Sequence, residues 1–209
     1  MSLDDGLKRL DSVKDVGAIL DWIETAPQFD HQRTGIFGGS YGGFMVLAAL
    51  TSYPDRFRAG CDLVGMSNLL SFLERTRGYR RENRRNEYGD ERDPNVREFL
   101  QSISPLHRAE DIRTPLFVAH GATDPRVPLF EAEQIARAVE TNNVPMWMFV
   151  AEDEGHGFKR RQNRDMFYKL LSSFLYRYLQ EEPLRVKNDD EILTHPETED
   201  DTVVKTEEK

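Results

Sequence analysis

The chain has 209 residues, 38% of them hydrophobic and 31% charged, a composition that suits one globular domain with a sizeable core. No apolar run reaches the roughly 18 residues of a membrane-spanning helix, no basic segment followed by an apolar stretch opens the chain, and the single cysteine, Cys61, excludes an internal disulfide framework and a cysteine-based metal site. The net charge of −9 does not favour nucleic-acid binding, and a cytoplasmic protein without a membrane partner is the expectation.

In chain order, 13–25 places Val16, Ile19, Leu20 and Ile23 on one helical stripe. Thr34 to Phe37 is a short strand that runs into a glycine-rich turn, Gly38 to Gly43. An apolar helix follows from Phe44 to about Tyr53, and Pro54 marks its end. Ala59 to Val64 reads as a second strand. The stretch between Leu69 and Ser104 is irregular and heavily charged, an insertion with a short helix around Asn95 to Leu100. Leu116 to His120 is a third strand, Leu129 to Glu140 a helix, Met146 to Val150 a fourth strand, and Met166 to Leu179 an aromatic-rich final helix. This alternation predicts an α/β fold, a mostly parallel sheet with helices on both faces. The last segment, 181–209, holds 11 acidic and 4 basic residues and reads as a disordered, solvated tail after a domain spanning 1–180.

The most specific local signal is Gly38-Gly39-Ser40-Tyr41-Gly42-Gly43 between a strand and a helix. A serine at the tip of such a turn projects its hydroxyl clear of the sheet, and small flanking residues let the strand and helix backbones approach. The N–H of Tyr41 then points to where a tetrahedral oxyanion would form, helped by the positive end of the helix. A Gly-rich turn needed only for tight packing is the bland alternative, and the strand–turn–helix context argues against it.

A serine hydroxyl needs a base, and the base needs a group to hold its tautomer. Of five histidines, His31, His107 and His195 lie in polar or charged segments, and His120 ends a strand as a structural residue. His156 lies in Glu154-Gly155-His156-Gly157-Phe158, a loop between the last strand and the last helix, and is the expected base. Asp124, in His120-Gly121-Ala122-Thr123-Asp124-Pro125-Arg126-Val127-Pro128, leaves the carboxyl edge of the sheet where open α/β sheets place their sites. Its alternative is an Asx-turn residue before Pro125. Asp62 is too early for the order serine, acid, histidine, and Glu152 and Asp153 are too close to His156 in the same loop.

With these segments assembled, 11–179 resembles the catalytic α/β-hydrolase domain of the prolyl oligopeptidase family of serine peptidases, near its acylaminoacyl-peptidase and dipeptidyl-peptidase-like branches. Ser12-Val13-Lys14-Asp15-Val16 and Ser104-Pro105 are supporting matches. The resemblance implies hydrolysis of peptide bonds in short peptides without a cofactor or metal. Ser40 would be the nucleophile, His156 its base, Asp124 the orienting acid and the N–H of Tyr41 one oxyanion donor.

The chain offers fewer strands than the family's hydrolase domain, so the first strands and the loop bearing a second oxyanion donor are expected to be missing before Met1, along with the family's β-propeller. An open sheet edge along Thr34 to Phe37 would then associate with a second copy or with a separate N-terminal fragment. Arg75, Arg77, Arg80, Arg81, Arg84 and Arg85 cluster in the insertion. They form a solvated helix face, or Arg77, Arg80 and Arg81 hold a substrate carboxylate or carbonyl. Three functions stay open: a serine peptidase, a carboxylesterase using the same triad, and a catalytically weak or inert fragment.

Overall fold

The structure, a computed structural model, describes residues 5–76, 78–180 and, as backbone, 204–206. Its elements are α1 (Leu10–Thr25), β1 (Gly35–Gly39), α2 (Tyr41–Ser52), β2 (Ala59–Leu63), α3 (Leu69–Arg75), α4 (Gly78–Tyr88), α5 (Pro94–Ile103), β3 (Leu116–Gly121), α6 (Phe130–Glu140), β4 (Met146–Ala151), α7 (Arg161–Leu175) and β5 (Val204–Thr206). The strands form one parallel sheet in the order β1-β2-β3-β4-β5.

Period-two alternation sorts β3 into two cores. Leu116 and Val118 face a cluster with Leu20 of α1, Val46, Leu47 and Leu50 of α2, and Ile135 and Val139 of α6. Phe117 and Ala119 face the opposite cluster, with Ala59 and Cys61 of β2, Phe149 of β4, and Phe167, Leu171 and Phe174 of α7. Helices therefore cover both faces, and β2 and β3 are apolar almost throughout because neither face meets water. A third cluster joins α3 and α5 to Phe44 and Val13.

The expected elements are all present with shifted ends: the first helix begins at Leu10 rather than Val13, and the first strand runs Gly35–Gly39 rather than Thr34 to Phe37. The nucleophile-turn helix begins at Tyr41 rather than Phe44, and the final helix at Arg161 rather than Met166. The larger difference is the insertion, which holds three helices instead of one short one. Asn68 caps α3 by accepting from Leu70 and Ser71 N–H, and Asp93 caps α5 by accepting from Asn95 and Val96 N–H. The polar α4 lacks an apolar stripe, but Arg84 and Arg85 pair with Glu87 and Glu82 at three-residue spacing, and Arg85 also grips Glu91.

The four strands expected are joined by β5, which pairs with 149–151 of β4. The rest of the tail expected to be disordered lies outside the described residues. At the opposite end, β1 pairs with β2 alone among the described residues, and Phe37 is half exposed on it.

Candidate active site

β1 ends and α2 starts with only Ser40 between them. Ser40 has φ +59° and ψ −116°, which side chains rarely tolerate, and it is held there because its N–H donates to Leu63 O at 2.8 Å across β2. A Cβ on Gly38 would strike the backbone of Gly42, and one on Gly43 would strike Asp62 and Gly65. Gly42 itself has open space. The crowding thus falls on Gly38 and Gly43, and not evenly on the residues that flank the serine. The Ser40 carbonyl accepts from Gly43 and Phe44 N–H, which commits the helix from its first turn. Tyr41 N–H is among the leading amides that a helix leaves without an internal acceptor.

The β3–α6 loop brings in Asp124. Its Oδ1 accepts from Arg126 N–H at 2.7 Å and Val127 N–H at 3.0 Å, an Asx-type turn that fixes the carboxylate. Its Oδ2 lies 2.7 Å from His156 Nδ1. The turn uses Oδ1 and leaves Oδ2 facing His156, so the two sequence alternatives for Asp124 do not compete. Burial pushes the Asp124 carboxyl up, but the His156 hydrogen bond and the two backbone donors outweigh it, and the group ends below the usual carboxylate range.

The β4–α7 loop supplies His156, whose Nε2 lies 2.9 Å from Ser40 Oγ. With Nδ1–H donated to Asp124, Nε2 is left to accept the serine proton. The Asp124 side chain has no solvent exposure and His156 is 14% exposed, so the pair is shielded while the serine end stays open.

Of the groups that hold these loops together, sequence reasoning singled out only His120, as a structural residue. Glu154 is buried, and its carboxylate accepts from Lys159 N–H, Arg160 N–H and Asn163 Nδ2, while its carbonyl accepts from Thr123 N–H and Oγ1. That ties the histidine loop to the acid loop. His120, fully buried, places Nε2 3.0 Å from Val127 O and 3.7 Å from Asp124 Oδ2, and burial holds its pKa down. Neutral and hydrogen-bonded, its ring keeps the acid turn in shape. Arg9, only 3% exposed, lies over the rings of Tyr41 and Tyr88 at 5.0 and 4.2 Å, and Tyr41 directly follows Ser40. None of these contacts follows a sequence spacing.

The other candidates separate. Arg77 lies outside the described residues. Arg80 Nε donates to Tyr79 Oη, and Arg81 Nη2 donates to the carbonyls of Glu74 and Thr76, where it caps α3. His31 and His107 are exposed in 3-10 turns, and His195 lies outside the described residues.

The profile of the prolyl oligopeptidase family matches residues 5–182. Dipeptidyl aminopeptidase BIII of Pseudoxanthomonas mexicana is 39% identical over 159 residues, covering 75% of this chain and 23% of that protein. Dipeptidyl peptidase family member 6 of Caenorhabditis elegans is 35% identical, over 77% of this chain and 23% of its own length. Among solved structures, the acylaminoacyl peptidase of Pyrococcus horikoshii aligns with a TM-score of 0.73 at 27% identity, over 82% of this chain and 28% of that one. The chain therefore spans about a quarter of the length of these relatives.

Proposed function

The chain belongs to the prolyl oligopeptidase family, and from that premise we propose that it is a serine-type peptidase acting on short peptides through Ser40, His156 and Asp124. The observation that carries this reading is the unbroken line from Ser40 Oγ to His156 Nε2 at 2.9 Å and from His156 Nδ1 to Asp124 Oδ2 at 2.7 Å. Relatives named dipeptidyl aminopeptidase and acylamino-acid-releasing enzyme support a substrate engaged near its N-terminal end.

Ser40 Oγ attacks the scissile carbonyl while His156 Nε2 takes its proton. The carbonyl oxygen becomes an oxyanion that accepts from Tyr41 N–H at the positive end of α2. Asp124, kept ionised, stabilises the imidazolium without taking its proton. His156 then passes the proton to the leaving amine, the C–N bond breaks, and the acyl group stays on Ser40. Water, deprotonated by His156, releases the acid and restores the serine.

The test is labelling with a fluorophosphonate probe, which needs an activated serine and no peptide. Wild type labels and Ser40→Ala does not; a folded wild-type protein that never labels overturns the reading. Because the same three groups would cleave esters, turnover of peptide anilides is compared with that of p-nitrophenyl esters, and faster anilide turnover is expected of a peptidase. For partners, the reading extends to association through the free edge of β1, with a second copy or a separate strand-bearing fragment. For location it extends to the cytoplasm, supported by a sequence with a single cysteine and hence no internal disulfide; among the described residues no helix is long and apolar enough to cross a membrane.

A further inference from the structure

The mechanism above leaves one buried acid beside the nucleophile unused. Asp62 on β2 is 1% exposed and stands in register with Gly38 of β1 and Val118 of β3. Its Oδ1 has no hydrogen-bond partner, and the Gly65 N–H offsets only part of what burial costs its charged form. The same Oδ1 occupies the place that a Cβ would take on Gly43, in the first turn of α2, and on Gly65, in the turn that leaves β2. Both glycines thus press their Cα–H groups against one carboxyl oxygen, a contact that is individually weak but fixes how closely the two segments approach. The turn it touches is itself strained: Val64, beside Gly65, has φ +48°. Its anchors are Val64 N–H on Ala119 O and Leu63 O on Ser40 N–H.

We propose that Asp62 is a positioning residue for the nucleophile: as a neutral carboxyl it seats the first turn of α2 against the β2–α3 turn, and on ionising it loosens that seat and opposes the oxyanion. This inference rests on the peptidase reading for its catalytic consequence and on geometry alone for the seat.

The physical reason is the difference between an orphan oxygen and an orphan charge. A neutral acid with one unpartnered oxygen is tolerable in the interior, whereas a buried carboxylate with a single backbone donor is costly. Burial pushes the Asp62 pKa up to about 7, and the negative charge of Glu131 on α6 adds to the rise. The other titratable neighbour, Cys61, is held as a neutral thiol by burial. The register partners Gly38 and Val118, and the seat partners Gly43 and Gly65, bring no compensating cation. A charge that forms there lies behind the helix end whose N–H groups are to receive a second negative charge from the substrate.

The experiment uses Asp62→Asn, which keeps the shape and removes the titration. Fluorophosphonate labelling rates are measured from about pH 6 to about pH 8, together with hydrogen exchange of amides in 38–47. The ratio of variant to wild-type labelling is expected to climb up to about tenfold over that span, as the neutral fraction of Asp62 falls. Exchange in the wild type should rise beyond its intrinsic pH dependence, and in Asp62→Asn it should not. Parallel profiles for the two proteins overturn the proposal. If neither labels at any pH, the peptidase reading fails, and the exchange data decide the seat by themselves. Should Asp62→Asn not fold, the wild-type exchange profile across the same range decides it, and an unchanged protection factor sinks it.

Discussion

Asp124 divides its two oxygens between two tasks, so substitutions at this residue should separate them. Asp124→Asn keeps its carbonyl oxygen as acceptor for the Arg126 and Val127 N–H groups but presents an NH2 donor to His156 Nδ1. The wrong tautomer of His156 follows, and the labelling rate should fall by about 10⁴ with little change in melting temperature. A loss of structure on the same scale as the loss of rate would show that the turn, not the tautomer, was at stake. Asp62 gives a second residue-scale expectation, in stability. Its carboxyl stands at about 7 in the fold against an ordinary 3.8, so the native state binds that proton more tightly than the unfolded chain does. The group therefore favours the fold below the ordinary value, and that contribution is lost as pH rises toward about 7. Asp62→Asn should gain stability relative to wild type over this interval, read from urea midpoints at several pH values; a constant difference would refute the raised value.

At the scale of elements, α3 depends on a residue far from it in sequence. Glu131, in the first turn of α6, is fully buried and accepts from Ser67 N–H, Asn68 N–H, Ser71 Oγ–H and the Gln134 amide. Burial raises its pKa in spite of these donors. Glu131→Ala strands two backbone donors in the interior and should cost about 3 kcal/mol in urea denaturation. Glu131→Gln keeps the size and one acceptor and should cost less. Equal and small losses would mean that the N-cap by Asn68 holds α3 unaided.

Across the whole molecule, the face under α7 is an aromatic layer. Phe117 has ring centroids 5.9 Å from Phe167 and 5.7 Å from Phe174, and Phe174 lies 5.4 Å from Trp147. Phe174→Ala should destabilise the protein by about 4 kcal/mol, with a cavity that β3 and β4 are too tightly packed to close. The other whole-molecule expectation concerns the sheet's first edge. β1 has no proline, lysine or bulge to discourage pairing, and its Phe37 is 50% exposed. Sedimentation velocity should show concentration-dependent self-association, and Phe37→Lys should shift it toward monomer. A single species across the concentration range would count against pairing through this edge.

The path from sequence to structure was direct where physics is local. The apolar runs at 59–64, 116–120 and 146–150 were strands because a doubly covered strand must be apolar on both sides, and Ser40 stood out because its turn demands glycines at fixed places. Chain order was enough to nominate Asp124 and His156. The insertion was less legible, since α4 is stabilised by ion pairs on an otherwise polar helix and α3 by a carboxylate from 60 residues away. Nor could local reading find β5, or the buried contacts of Glu154, Arg9 and Asp62. Those residues act through partners that only the packed sheet brings together. The sequence by itself nominated Ser40, Asp124 and His156 and determined the layered α/β plan. The tertiary structure alone decided the distances that join them and the buried contacts that hold them in place, because burial and long-range hydrogen bonds exist only once the chain has folded.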